Sequence, residues 1–117
     1  MEEILMRYQM KLFSEPFDTI VQGRKTIEVR CYDEKRKQLK PGDEIQFLKL
    51  PDQKESITVK VTELYLCNTF QELYQKFNPV EFGCEGQTLE QMLREIREIY
   101  TEEQEKQGVL GIRIQPL

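Results

Sequence analysis

Gly23-Arg24-Lys25-Thr26-Ile27-Glu28-Val29-Arg30 is the stretch that decides how this chain is read. Four of its eight residues are charged, one is glycine and two are β-branched aliphatics. Thr26, Glu28 and Arg30 alternate with Ile27 and Val29, which is the period of a half-buried strand. Ile27 and Val29 fasten one face to a core. Thr26, Glu28 and Arg30 then share the opposite face, neighbours spaced about 7 Å apart along the strand. A charged run normally marks a solvated face, where an ion pair is worth about 0–1 kcal/mol. Here the aliphatics hold the polar side chains on a rigid platform. Lys25 has the opposite parity to Glu28 and Arg30. For all three to converge, the backbone must turn or bulge between Lys25 and Thr26, a step that Gly23 makes accessible.

Upstream, Arg7 to Phe13 reads as a strand with Tyr8, Met10 and Leu12 on one face. Ser14-Glu15-Pro16 reads as a helix start with Ser14 as the cap. Phe17, Ile20 and Val21 keep helical spacing, and Gly23 is a left-handed stop. Arg24 and Lys25 therefore meet the last helical carbonyls. Downstream, Cys31 to Lys40 is a basic connection. Pro41-Gly42-Asp43 is a turn. Ile45 and Phe47 begin a strand that ends near Leu50, and Pro51-Asp52-Gln53-Lys54 is a hairpin-like loop. Ile57, Val59 and Val61 alternate with polar residues in a long strand running to about Cys67. Thr69 to Glu72 fits a capping box ahead of Phe70, Leu73, Tyr74 and Phe77, and Asn78-Pro79 ends that helix. Val80 to Gln87 is a loop. Thr88 to Gln91 is a second capping box, opening a helix with the stripe Leu89, Met92, Leu93, Ile96 and Tyr100. Thr101 caps a short turn that ends at Gly108. Val109 to Gln115 is a last strand, with Leu110, Ile112 and Ile114 inward. Strands bracket the helices at both ends. The pattern predicts one α+β domain over residues 1–117: a small, mostly antiparallel β-barrel or curled sheet with helices covering its openings.

Composition narrows the chemistry. The 117 residues are 38% hydrophobic and 32% charged, with a net charge of −4. No apolar run is long enough to span a membrane, and the acidic opening Met1-Glu2-Glu3-Ile4 is unlike a secretory signal, so a cytoplasmic location is expected. Cys31, Cys67 and Cys84 are odd in number and widely spaced, as expected of free thiols in a reducing compartment. With no histidine and no CxxC pair, no metal site and no cofactor are expected, and a Ser-His-Asp or Cys-His unit is excluded. The charge is uneven. Gly23 to Lys40 holds seven basic residues against three acidic ones, whereas Glu85 to Lys106 holds seven glutamates against three basic residues. The basic segment suits phosphate, while the overall charge argues against non-specific duplex binding.

The candidate site therefore centres on Lys25, Glu28 and Arg30, with Gly23, Arg24 and Thr26 as neighbours and Tyr32 as an aromatic able to stack a base. Glu85 lies between Gly83 and Gly86 just ahead of a helix, where an acid favours the helix dipole.

Gly23, Lys25, Glu28 and Arg30 match all four positions of a pattern that resembles the signature of the ASCH domain family, which is related in fold to the PUA domains. The preceding short helix, the Pro41-Gly42-Asp43 turn and the final strand with Gly111-Ile112 extend the resemblance over nearly the whole chain. It implies a PUA-like barrel with a cleft floored by the motif, and binding of RNA or of a small nucleotide or modified nucleoside. Similar small bacterial members are amidohydrolases that deacetylate N(4)-acetylcytidine with a lysine, a threonine nucleophile and a glutamate. Lys25 matches that lysine, and Glu85 corresponds to that glutamate. The threonine position is occupied here by Glu28. The resemblance thus implies two functions: a binding cleft for RNA or a nucleotide-derived ligand, or an amidohydrolase for an acylated cytidine-like amide, with Lys25, Glu28 and Glu85 as its catalytic set.

Overall fold

The structure, a computed structural model, describes residues 5–117; the acidic opening Met1–Ile4 lies outside them. Five strands form one curled sheet: β1 (Arg7–Leu12), β2 (Ile27–Cys31), β3 (Glu44–Lys49), β4 (Ser56–Cys67) and β5 (Val109–Pro116). Their order across the sheet is β1-β3-β4-β5-β2. β1 pairs with β3 in parallel, and the other three pairings are antiparallel. The helices are α1 (Ser14–Val21), α2 (Phe70–Tyr74), α3 (Leu89–Arg97) and α4 (Glu102–Glu105).

The two faces of the sheet are covered differently. Met10, Ile45, Phe47, Val59, Val61, Leu110, Ile112 and Ile114 fill the inner face, joined by Phe17 and Ile20 of α1. Ile27, Val29, Cys31 and Val109 form the outer cluster with Phe70 and Leu73 of α2 and Met92 and Ile96 of α3. Burying one such aromatic or branched side chain contributes about 2–3 kcal/mol. The strand parity read from the motif thus holds. Ile27 and Val29 belong to the outer cluster, while Glu28 lies across from Ile112 and Arg30 across from Leu110 on the inner face.

β1 and β2 are the two margins of the sheet, and side chains bridge the seam between them. Arg30 Nη2 donates to the Lys11 carbonyl at 2.7 Å. Lys35 Nζ, from the loop after β2, donates to the Gln9 carbonyl at 2.5 Å.

Several ends differ from the expected ones. Phe13, not Ser14, stands at the N-cap of α1, and it makes no side-chain cap bond. β1 runs to Leu12, so Phe13 takes the corner and Ser14 is already helical. The helix after Thr69 stops at Tyr74 instead of reaching Phe77. Phe77 leaves the helix to pack its ring 4.8 Å from Tyr65. Thr69 accepts from Glu72 N, but the Glu72 carboxylate takes the Asn68 amide rather than that of Thr69. The boxes at Thr88 and Thr101 are complete. In the turn before β3, Asp43 is fully buried and accepts from Met6 N at 2.9 Å, Lys40 N at 3.0 Å and Lys40 Nζ at 3.0 Å.

Candidate functional site

The motif begins where α1 unwinds. Gly23 takes φ +76°, and the Arg24 and Lys25 amides both donate to the Thr19 carbonyl. Lys25 then makes an isolated antiparallel bridge to Phe82, and the Thr26 amide donates to the Glu81 carbonyl at 2.8 Å. The chain is therefore diverted between Lys25 and Ile27, the turn that the parity argument required. Gly83 lets the loop come this close: a Cβ there would stand 3.2 Å from both Lys25 Cβ and Thr19 Oγ1.

The diversion brings the three charges together. Lys25 Nζ lies 2.8 Å from Glu28 Oε1, and Arg30 Nε lies 2.8 Å from Glu28 Oε2. Glu28 is 3% exposed. The side chains of Lys25 and Arg30 are 11% and 13% exposed. Burial alone would push the Glu28 carboxyl up. Lys25 and then Arg30 outweigh it and hold the group at about 2. Burial also opposes the Arg30 charge, and Glu28 reverses that effect, leaving the guanidinium above its ordinary value. One carboxylate thus neutralises one of two cations, and both cations keep spare N–H donors.

These groups line a cavity of about 650 Å³. Its apolar walls come from Leu12, Val29, Tyr74, Phe82, Met92 and Ile96. Thr19, Gln87 and Glu95 add polar groups, and the Gln87 Oε1 atom is buried with no hydrogen-bond partner among the described residues. Phe13 and Ile99 also line it while remaining 58% and 51% exposed. Three cations, Lys11, Lys25 and Arg30, line it alongside four carboxylates, those of Glu15, Glu28, Glu95 and Glu98.

Of the residues proposed from sequence, Lys25, Glu28 and Arg30 are together in this cavity and the others are not among its lining residues. Gly23 and Arg24 are exposed at the end of α1, with Arg24 donating to the Gln22 side chain. Thr26 is tied to the Glu81 carbonyl. Glu85 is exposed on its loop, because the turn at Gly83–Gln87 sends the Gln87 side chain, not that of Glu85, to the cavity. Tyr32 would continue the parity of Glu28 and Arg30. β2 ends at Cys31, however, and the Tyr32 amide donates to the Gly108 carbonyl, so the ring packs beside the inner core under Lys37. Among the cavity residues that sequence reasoning missed are Phe13, Gln87 and Glu95. Glu95 carried a signal, lying within a turn of Met92 and Ile96 on α3. The three cysteines are free, Cys31 and Cys67 buried and Cys84 half-buried at the cavity, and burial pushes all three thiols up, Cys31 to about 11.

The ASCH domain profile matches residues 10–117. The chain is 36% identical to the hypothetical protein PH0355, whose crystal structure superimposes with a TM-score of 0.85 over 96% of this chain and 100% of that one. It is also 36% identical to protein PF0455 from Pyrococcus furiosus, whose solution structure gives a TM-score of 0.76 over 96% and 98% of the two chains. The ASCH domain from Lactobacillus crispatus shares the fold at 14% identity, with a TM-score of 0.72 over 96% and 79%. No curated protein matches the sequence. The glycine–lysine–glutamate–arginine motif, the curled sheet that buries it and a profile match spanning the motif and nearly all that follows lead to one conclusion: the chain belongs to the ASCH domain family.

Proposed function

We propose that the cavity is a binding cleft for RNA or a small nucleotide-derived ligand, and that it encloses one nucleoside. The observation that carries this reading is the Lys25–Glu28–Arg30 cluster in the wall of a largely apolar cavity of about 650 Å³, a size typical of small-molecule sites. Lys25 and Arg30 offer donors to carbonyl oxygens of a base or sugar. The unpaired Gln87 Oε1 and the Glu95 carboxylate offer acceptors to an exocyclic amine. Phe13, exposed at the cavity, supplies the stacking face first expected from Tyr32. A duplex does not fit such a cavity, whereas a splayed-out base does. Titration with short single-stranded RNAs and free ribonucleosides tests the reading. Saturable binding that weakens at least tenfold in Lys25→Ala and Arg30→Ala, about 1.4 kcal/mol, is expected. Binding that neither substitution changes would sink it.

The alternative is an amidohydrolase for an acylated cytidine-like amide. Glu95 favours it, as a carboxylate besides Glu28 in the lining of the same cavity. Against it, Glu28 stands where the nucleophilic threonine would be. A carboxylate held at about 2 is also a poor general base at neutral pH. Glu85, the other acid of that scheme, does not line the cavity. Incubation with N(4)-acetylcytidine decides between the readings: release of cytidine that depends on Lys25 would establish hydrolysis.

A further inference from the structure

A second cavity, of about 410 Å³, opens beside the first between β1 and the loop that follows β2. Its charged lining among the described residues is Lys11, Arg30, Lys35 and Arg36, with no carboxylate among them. Lys11 and Arg30 line both cavities, so the two adjoin. The existing bonds of these cations do not satisfy them. Lys35 Nζ donates to the Gln9 carbonyl, and Arg30 to Glu28 and the Lys11 carbonyl. Arg36 Nη1 is bound to Asp33 Oδ2 at 2.8 Å, but Arg36 Nε is buried and has no partner among the described residues. A buried charged donor left without an acceptor is costly, and a native structure calls for a reason. Burial, then Arg36 and Arg30, lower the affinity of Lys35 for its proton, as expected where cations crowd without enough counter-charge.

The contrast with the first cavity sorts the parts of a ligand. The first sets three cations against four carboxylates in mostly apolar walls. The second, among the described residues, sets four cations against no carboxylate in its lining. We propose that the second cavity is a phosphate subsite, in which Lys35, Arg36 and the shared Lys11 and Arg30 receive the phosphate attached to the nucleoside held in the first. This inference rests on the nucleoside reading of the first cavity and names the anion that goes with it. A phosphate supplies oxygens for the spare hydrogens of Lys35 and of the Arg36 guanidinium, and guanidinium–phosphate bonds are among the stronger hydrogen bonds in proteins.

The test is a titration of the full chain, followed by backbone amide NMR and calorimetry. The probes are the four ribonucleosides, their 5′-monophosphates, dinucleoside monophosphates and inorganic phosphate. At least one monophosphate or dinucleotide is expected to bind about tenfold more tightly than its bare nucleoside, an advantage that shrinks as salt rises. That ratio should fall toward one in Lys35→Gln and be kept in Lys35→Arg. Preference for the dinucleotide assigns the subsite to an RNA backbone; preference for the monophosphate assigns it to a free nucleotide. Inorganic phosphate alone should move the amide signals of residues 35–37 in the wild-type chain and not in Lys35→Gln. If those shifts occur while no nucleoside binds, the subsite stands and the reading of the larger cavity falls. If phosphate moves nothing and phosphorylated and bare ligands bind alike, the subsite is overturned.

Discussion

Glu28 on β2 and Asp43 in the turn before β3 are both buried, at 3% and 0% exposure, and each has a lysine beside it. In both, burial would raise the pKa and local donors more than reverse it. The partners differ. Asp43 takes the Met6 and Lys40 amides and the Lys40 ammonium, so its oxygens tie the turn to the segment ahead of β1, and it lines neither cavity. Glu28 takes two side-chain cations, Lys25 and Arg30, both of which border empty volume. The two amides have nothing further to offer and Lys40 lines neither cavity, whereas Lys25 and Arg30 retain hydrogens that border one. Burial of a charge is therefore not what marks the candidate site. Spare hydrogen-bonding capacity facing a cavity marks it.

The largest effect that this comparison predicts is on stability at Asp43. Asp43→Ala strands buried donors away from water and is expected to cost about 4 kcal/mol in denaturant unfolding. Glu28→Gln is expected to cost less, about 3 kcal/mol, because water in the cavity can reach the released cations. The reverse order would break the comparison. A pH series sharpens it. The Glu28 carboxyl falls from an ordinary 4.5 to about 2 on folding, so it adds stability above pH 4.5 that is lost as pH falls toward 2. That contribution is about 3 kcal/mol, and the acid-induced loss should be correspondingly smaller in Glu28→Gln. Next in size, Arg30→Lys keeps the charge but cannot reach Glu28 and the Lys11 carbonyl with one rigid fork, so ligand affinity should drop about tenfold with a smaller change in stability. The smallest effect belongs to Glu85. Glu85→Gln should move stability by no more than about 0.5 kcal/mol and leave ligand binding untouched, whereas Glu95→Gln should weaken binding. Loss of binding in Glu85→Gln would return that residue to the site.

Local rules carried the sequence reading far, and their limits are visible in particular residues. Alternation placed Glu28 and Arg30 on one face because a strand allows no other arrangement. It also signalled that Lys25 could join them only through a diverted backbone. The boxes at Thr88 and Thr101 were legible because every partner lies within one helical turn. The placement of Tyr32 outside the cavity was not legible, because alternation says nothing about where a strand ends. Nor was the placement of Glu85, because one loop residue or the next faces inward according to turns such as that at Gly83, where φ is +76°. The opposite wall, with Met92, Glu95 and Ile96 of α3, belongs to a helix more than sixty residues away in sequence. Periodicity identified that helix's apolar stripe but could not say what the stripe would face.

The bridge between the sheet margins has a consequence beyond ligands. A free strand margin invites pairing with a second molecule. On β1 the Gln9 and Lys11 carbonyls, two positions apart, are already taken by the tips of Lys35 and Arg30. These two cations act as a stopper against intermolecular strand addition. A chain lacking both would present a bare margin and be drawn into concentration-dependent self-association.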